Sequence, residues 1–133
     1  MNTRKSLAYI SSIATLVAIG GCNNPSGTYE GTCTNTTYGK QSNMLLVLNK
    51  NGEQLSGTLT LSGDLVGGGD IKGRVDNSRV TFTTANPAWG QITWTGELKS
   101  DVIIGKYLVE TPLNVQQQQG IRSQQGVWSV KKN

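Results

Sequence analysis

The spacing of turn residues and of alternating apolar residues constrains the fold of this chain more than any other feature of its sequence. Three short polar pairs separate segments in which apolar and polar residues alternate: Asn51-Gly52, Asn77-Ser78 and Ser100-Asp101. Such pairs are typical of two-residue β-hairpin loops, and Asn-Gly is the strongest short signal of a type I′ turn. Because strand side chains alternate between faces, a slip by one residue would turn the apolar set of a hairpin outward. The three hairpins therefore predict consecutive antiparallel strands that share one apolar face.

Two-residue loops at these sites define which residues face each other across each hairpin. The expected facing pairs are Leu48 with Leu55, Met44 with Leu59, Val75 with Val80, Gly73 with Phe82, Gly96 with Gly105, and Trp94 with Tyr107. Glycine recurs among the positions that face the shared apolar side of the sheet, at residues 31, 57, 73, 96 and 105. Strand glycines mark bulges, bends or close backbone approach, and an aromatic ring opposite a glycine covers its bare backbone. These glycines predict a strongly coiled sheet that closes on itself.

Eight segments of strand length follow residue 26, and none of that region has helical periodicity. The expected strands are near 27–35, 43–50, 53–62, 69–76, 79–85, 90–99, 102–111 and 124–131. Short strands and short loops predict an all-β fold, an eight-stranded antiparallel up-and-down meander barrel. Side chains can fill such a barrel or leave room for one small ligand, and both alternatives stay open. Alternation assigns these residues to the interior: Tyr29, Met44, Leu46, Leu48, Leu55, Leu59, Leu61, Ile71, Val75, Val80, Phe82, Ile92, Trp94, Leu98, Ile103, Tyr107, Val109, Trp128 and Val130.

The first and last strands carry motifs of a known fold family. Gly27-Thr28-Tyr29 opens the first strand in the manner of a Gly-x-Trp start, and Gly126-Val127-Trp128 followed by Lys131 closes the last one. Together with the strand-centre glycines, these motifs resemble the calycin-like barrels, of avidin and lipocalin type. Tyr29 replaces the usual tryptophan, and no ligand set of the family matches residue by residue. The resemblance therefore implies the fold and leaves the ligand undefined.

The first 22 residues have the organisation of a bacterial export signal. Arg4 and Lys5 precede an uncharged apolar run from Leu7 to Ile19, which is too short for a permanent membrane span. The following Gly20-Gly21-Cys22 resembles the lipobox of bacterial lipoproteins, which implies cleavage before the cysteine and lipidation of its thiol. Lipoproteins of this kind carry more than one acyl chain there, enough for firm anchoring.

The lipobox divides the chain into a signal peptide (1–21), a lipidated tether (22–26) and a β-barrel domain (27–133). The expected location is the cell envelope, with the membrane as a partner through Cys22. Asn23 implies, in enteric-type bacteria, the outer membrane on its periplasmic side. An ordinary secretory signal, which would leave Cys22 a plain thiol, is the alternative.

The composition argues against most catalytic chemistries. The chain has no histidine, which removes the commonest general base, the Ser-His-Asp triad and most zinc and haem ligation. Most acidic residues face outward or lie near turns on the predicted register, so solvated charges are favoured over a catalytic carboxylate pair. Cys33 is expected to be a buried, inert thiol, because no base stands ready to ionise it. We expect a protein that is not an enzyme and needs no cofactor or metal.

The charge and the remaining motifs leave two binding hypotheses. Loss of Arg4 and Lys5 with the signal leaves ten basic residues against eight acidic ones, which predicts no nucleic-acid surface. In the first hypothesis the barrel is a non-enzymatic interaction module of the envelope, whose protein partner contacts Trp89 or outward apolar residues: Leu45, Val47, Val102, Ile104 and Leu108. In the second it is a lipocalin-like carrier of a small apolar ligand, lined by Tyr29, Phe82, Trp94, Tyr107 and Trp128.

Overall fold

The computed structural model describes residues 24–65, 68–86, 90–110 and 123–133, and for Asn86 the backbone alone. The strands are β1 (Gly27–Asn35), β2 (Lys40–Asn51), β3 (Gln54–Gly63), β4 (Gly69–Asp76), β5 (Arg79–Asn86), β6 (Gly90–Lys99), β7 (Val102–Glu110) and β8 (Gln124–Lys132). Each strand pairs antiparallel with the next, and β8 pairs with β1, so the sheet is a closed up-and-down barrel. The predicted fold class is confirmed. No helix within the described residues has the length and hydropathy needed to cross a membrane.

Two of the three predicted hairpin registers are confirmed. Gly73 faces Phe82 between β4 and β5. Trp94 faces Tyr107 between β6 and β7. Phe82 also faces Trp94 between β5 and β6, so inward-facing aromatic side chains of three strands enter the same part of the barrel.

The predicted register between β2 and β3 is wrong by two positions. Leu48 faces Gly57 rather than Leu55, because the loop is Gly52-Glu53 rather than Asn51-Gly52. By the same shift, Met44 faces Leu61 rather than Leu59. The turn is also not of type I′, since of its two residues only Gly52 has a positive φ, 64°.

Glu53, the second residue of the observed loop, contacts β4. Its carbonyl accepts a hydrogen bond of 2.9 Å from the backbone N–H of Val75. Its carboxylate lies 2.9 Å from the guanidinium of Arg74. These contacts join the turn to a strand that begins 16 residues later, at Gly69, and local sequence signals do not report them.

The interior consists of the residues that alternation predicts. All of the expected side chains are buried except that of Leu61, which is partly buried and packs against the others. Cys33 is buried among them, as expected. Burial of a single Leu, Val or Phe side chain stabilises a fold by about 1.5–3 kcal/mol, so this core is the main source of stability.

Trp128 lies directly over two facing glycines, Gly96 and Gly105. A Cβ added at Gly96 would lie 2.9 Å from the Trp128 ring and 2.8 Å from Cγ2 of Ile103. A Cβ added at Gly105 would lie 2.8 Å from the same ring and would overlap the carbonyl oxygen of Thr95. The indole therefore occupies the space that side chains at these positions would need, which confirms the expected close approach at strand glycines.

The two ends of the barrel are built differently. The two-residue turns after β2, β4 and β6 lie at the end where β1 begins and β8 ends, which we call the tight-turn end. The longer connections after β1, β3, β5 and β7 leave and return at the opposite end, which we call the loop end. At the tight-turn end Pro25 is buried, and the hydroxyl of Tyr29 donates a hydrogen bond of 2.7 Å to its carbonyl. The segment before β1 thus packs against the tight-turn end.

Candidate binding site at the loop end

Four of the five aromatic residues predicted to line a ligand site lie together inside the barrel. Phe82 stacks on Trp94 with ring centroids 6.0 Å apart, and Tyr107 lies 4.8 Å from Trp94. Trp128 meets Phe82 and Trp94 edge-on, at 5.8 and 6.2 Å. Centroid separations of about 4.5–7 Å are those of rings in direct contact. The four rings therefore form one continuous cluster with no room for a further ring between them.

Tyr29 is separate from this aromatic cluster. Its hydroxyl is bonded to Pro25 at the tight-turn end. Nζ of Lys132 lies over its ring, 5.6 Å from the centroid. Burial, with a smaller contribution from the carboxylate of Asp101, raises the pKa of Tyr29 to about 12. Tyr29 belongs to the closed end of the barrel, so the structure does not place it with the other four predicted residues.

Buried polar side chains gather at the loop end, next to the aromatic cluster: Asn35, Ser42, Thr84 and Gln124. The side-chain amide of Asn35 donates a hydrogen bond of 2.7 Å to Oε1 of Gln124, and its oxygen accepts one of 2.9 Å from the backbone N–H of Tyr38. Oγ of Ser42 accepts a hydrogen bond of 2.7 Å from the backbone N–H of Leu65. These bonds satisfy buried polar atoms and tie strands to the loop-end connections.

Two sets of contacts join these polar groups to the aromatic cluster. The indole N–H of Trp94 donates a hydrogen bond of 3.1 Å to Oγ1 of Thr84. The hydroxyl of Tyr107 interacts with the side chains of Cys33 and Asn35. The aromatic cluster and the polar groups therefore form one connected site.

Burial controls the ionisation of the two titratable groups in this site. It raises the pKa of Cys33 to about 11, and the hydrogen bond with Tyr107 opposes that shift only in part. Burial, followed by the neighbouring Cys33, raises the pKa of Tyr107 above its usual range. Both groups are neutral at physiological pH, so Cys33 is not a thiolate nucleophile.

An apolar surface, here the aromatic cluster, beside a few convergent polar groups is typical of small-molecule sites. Every buried polar side chain in the described ranges is uncharged. Within these ranges no three His, Cys, Asp or Glu side chains lie close enough together to hold a metal ion. The arrangement suits recognition through hydrogen bonds and aromatic contact.

Two predicted functional residues, Cys22 and Trp89, lie outside the described residues. Of the predicted outward apolar residues, Leu45, Ile104 and Leu108 are exposed, while Val47 and Val102 are half-buried. Val127, which was not predicted, is also exposed, and it faces Lys106 across β7 and β8. The exposed apolar surface of β7 thus continues onto β8.

Sequence reasoning did not select the four buried polar residues of the loop end as site residues. Residues two apart on a strand face the same side, so Asn35 follows Cys33 into the interior and Ser42 precedes Met44. Thr84 follows Phe82 in the same way. The alternation that identified the apolar core therefore points to these polar residues as well.

Comparison with known proteins supports the fold. No protein-family model matches the chain, and no curated protein matches its sequence. A solved structure described as "EF1p2_mFAP2b bound to DFHBI" matches with a TM-score of 0.59 and 14% sequence identity, over 81% of this chain and 93% of that chain. At this identity the likeness is one of fold, and it agrees with the closed eight-stranded barrel.

Proposed function

We propose that this chain is a non-enzymatic binding protein of the cell envelope, held to a membrane by lipid on Cys22, which engages a partner at the loop end. The observation that carries the proposal is the difference between the two ends of the barrel. The buried polar side chains lie at the loop end, whereas Pro25 and Tyr29 close the tight-turn end. A rigid barrel that presents polar groups beneath its longer connections is a common basis for recognition.

The packed aromatic cluster favours a partner that binds at the loop end over a ligand that enters the barrel. A ligand reaching the interior would have to separate rings that lie 4.8–6.2 Å apart. Each aromatic pair lost would cost about 0.5–1.5 kcal/mol beyond the loss of buried area. A protein partner needs only the rim and the loops, so an interaction module is the leading function.

A carrier of a small apolar ligand is the second candidate. The aromatic cluster beside Asn35 and Gln124 favours it, and so does the fold neighbour, which is described as bound to DFHBI. In this candidate the ligand packs on Trp94 and Tyr107 and bonds to the loop-end amides.

The lipid anchor is supported by the apolar run that ends at Ile19 and by the Gly20-Gly21-Cys22 sequence after it. Mass spectrometry of the chain purified from bacterial membranes tests it. We expect loss of residues 1–21 and a gain of acyl mass on Cys22, with no acyl mass on a Cys22→Ala variant. A wild-type chain without acyl groups would remove the anchor from the proposal.

Site-specific cross-linking tests the loop end as the binding surface. A photoreactive amino acid is placed at Tyr38, an exposed residue of the loop end, or at Gln54, an exposed residue of the tight-turn end. Protein adducts from position 38 and none from position 54 are expected in intact cells. Equal adducts from both positions would contradict the proposal, and a Trp89→Ala variant in the same cells tests that residue.

Native mass spectrometry separates the two candidate functions. The interaction module predicts a purified chain whose mass is that of the protein and its anchor alone. A further mass that organic extraction removes would support the carrier instead. Trp94→Ala, which opens the aromatic cluster, is the matched variant, since it should change ligand retention only if the interior is the binding site.

A further inference from the structure

Residues 24–26, which precede β1, are fixed to the tight-turn end of the barrel. Three hydrogen bonds hold them: Nζ of Lys132 to the carbonyl of Asn24 (3.2 Å), the hydroxyl of Tyr29 to the carbonyl of Pro25 (2.7 Å), and the backbone N–H of Lys50 to Oγ of Ser26 (2.9 Å). The donors belong to β8, β1 and β2. The chain is therefore attached to three strands from residue 24 onward.

This attachment leaves a very short tether between the lipidated cysteine and the barrel. Cys22 precedes Asn24 by two residues, and consecutive Cα atoms are about 3.8 Å apart, so their separation is at most about 8 Å. Strands of this length, tilted as in a barrel, place the loop end roughly 20–25 Å beyond the tight-turn end. The tether can reach a membrane from the tight-turn end but not from the loop end.

The charges of the two ends also favour the tight-turn end as the end that faces the membrane. In the described parts of the chain, the tight-turn end carries six basic residues, Lys50, Arg74, Arg79, Lys99, Lys131 and Lys132, against five acidic ones, Glu30, Glu53, Asp76, Glu97 and Asp101. Two of these acids are paired with arginines, at 2.9 and 3.1 Å. The described loop end carries Lys40 against Asp64, Asp70 and Glu110. Anionic headgroups attract basic residues near the surface, so this polarity favours the tight-turn end at the membrane.

We propose that the tight-turn end lies against an anionic lipid surface and that the loop end points away from it. The proposal rests on the lipid anchor of the proposed function, while the charge polarity supports it independently. The membrane-distal position leaves the loop-end site accessible to a partner.

Fluorescence quenching on vesicles tests this orientation. The full lipidated chain is reconstituted in phosphatidylcholine vesicles containing phosphatidylglycerol and a lipid with a nitroxide on its headgroup. A fluorophore is attached to Gln54→Cys or to Tyr38→Cys, and the wild-type chain, whose Cys33 is buried, is the labelling control. We expect the label at position 54 to be quenched several-fold more than the label at position 38. Equal quenching, or stronger quenching at position 38, would overturn the orientation while acyl mass on Cys22 still supports the anchor.

A pair of charge variants tests the role of the anionic headgroups. Lys50→Gln/Lys99→Gln removes two lysines of the tight-turn end, and Lys40→Gln/Lys106→Gln removes two lysines from elsewhere on the barrel. The first variant should narrow the difference in quenching between positions 54 and 38, and the second should not. An equal response of both variants would contradict attraction to the headgroups. A chain that carries no acyl mass would overturn both the anchor and the orientation.

Discussion

The side-chain amide of Asn35 donates a hydrogen bond of 2.7 Å to Oε1 of Gln124, and the two residues are 89 positions apart in the chain. Asn35 ends β1 and Gln124 begins β8, so this bond lies where the barrel closes. It is also part of the candidate site at the loop end. This hydrogen bond therefore contributes both to the closure of the sheet and to the candidate site.

Removal of this bond should destabilise the barrel in a way that double variants reveal. Gln124→Leu removes the acceptor of the Asn35 amide, and a buried polar group that loses its partner costs about 1–3 kcal/mol. Asn35→Leu should cost more, because it also removes the acceptor of the Tyr38 N–H. Urea unfolding should show that the double variant is less destabilised than the sum of the two single variants. Strictly additive costs would contradict the coupling.

Alanine substitutions at Gly96 and Gly105, the two glycines beneath Trp128, should differ in how far a smaller ring at position 128 restores stability. Gly96→Ala and Gly105→Ala should each destabilise the fold by about 1–3 kcal/mol or more, as overpacking does. The nearest neighbours of a Cβ at Gly96 are the side chains of Ile103 and Trp128, whereas at Gly105 the nearest is the carbonyl of Thr95. Trp128→Phe should therefore offset part of the cost of Gly96→Ala and much less of the cost of Gly105→Ala. Equal relief at both positions in thermal unfolding would refute this geometry.

The β2–β3 turn gives a direct test of its register. Gly52 has φ 64°, and a Cβ added there would meet no atom within 4 Å, so Gly52→Ala should cost about 1–2 kcal/mol from backbone conformation alone. Asn51 is the last residue of β2, so Asn51→Thr should change the free energy of unfolding by less than about 0.5 kcal/mol. A large loss for Asn51→Thr with tolerance of Gly52→Ala would indicate a different loop.

Stability should fall at alkaline pH, with contributions from Tyr29, Cys33 and Tyr107, because burial raises the pKa of each. Burial raises the pKa of Tyr29 from 10.0 to about 12 and that of Cys33 from 9.0 to about 11. The unfolded chain then loses these protons first, so stability is fully present below pH 9 and declines between pH 9 and 12. Each group contributes up to about 1.4 kcal/mol per pH unit within its own window.

Single variants separate the contributions of Cys33 and Tyr29 when the urea midpoint is measured from pH 8 upward. Cys33→Ala should remove the part of the decline that begins near pH 9, where the free thiol titrates. Tyr29→Phe should remove only part of the further decline that begins near pH 10, because burial also raises the pKa of Tyr107. Unchanged pH dependence in both variants would show that neither group is held neutral by burial.

Alternation predicted which residues face the interior because a closed barrel buries one face of every strand. The same pattern could not fix the register between β2 and β3, since a shift of two positions keeps Leu48 and Leu55 on the inward face. Glu53 in the observed loop contacts Arg74 and Val75 of a third strand, and the second residues of the other two loops, Ser78 and Asp101, also accept a backbone hydrogen bond from a third strand. Local turn signals therefore sufficed for two hairpins, and the Asn-Gly signal failed at the third, where the two-residue loop lies one position further along the chain.

The site was predicted less completely than the fold. Aromatic residue types identified Phe82, Trp94, Tyr107 and Trp128, but of their contacts only that of Trp94 with Tyr107 follows from a predicted hairpin register. Tyr29 also faces the interior but lies at the tight-turn end of the barrel. Alternation shows which face of a strand a residue occupies and carries no information on its position along the barrel axis. Asn35 was missed because only apolar residues were sought in inward positions.

Tryptophan emission of a Trp89→Phe variant tests the central claim most directly. The remaining tryptophans, Trp94 and Trp128, are 1% and 2% exposed. If the side chains of the barrel occupy its interior and recognition is left to the loop end, emission should be blue-shifted, weakly quenched by acrylamide and unchanged by an apolar probe such as anilinonaphthalene sulfonate. Emission typical of solvated indole, or a saturable response to the probe, would contradict the claim.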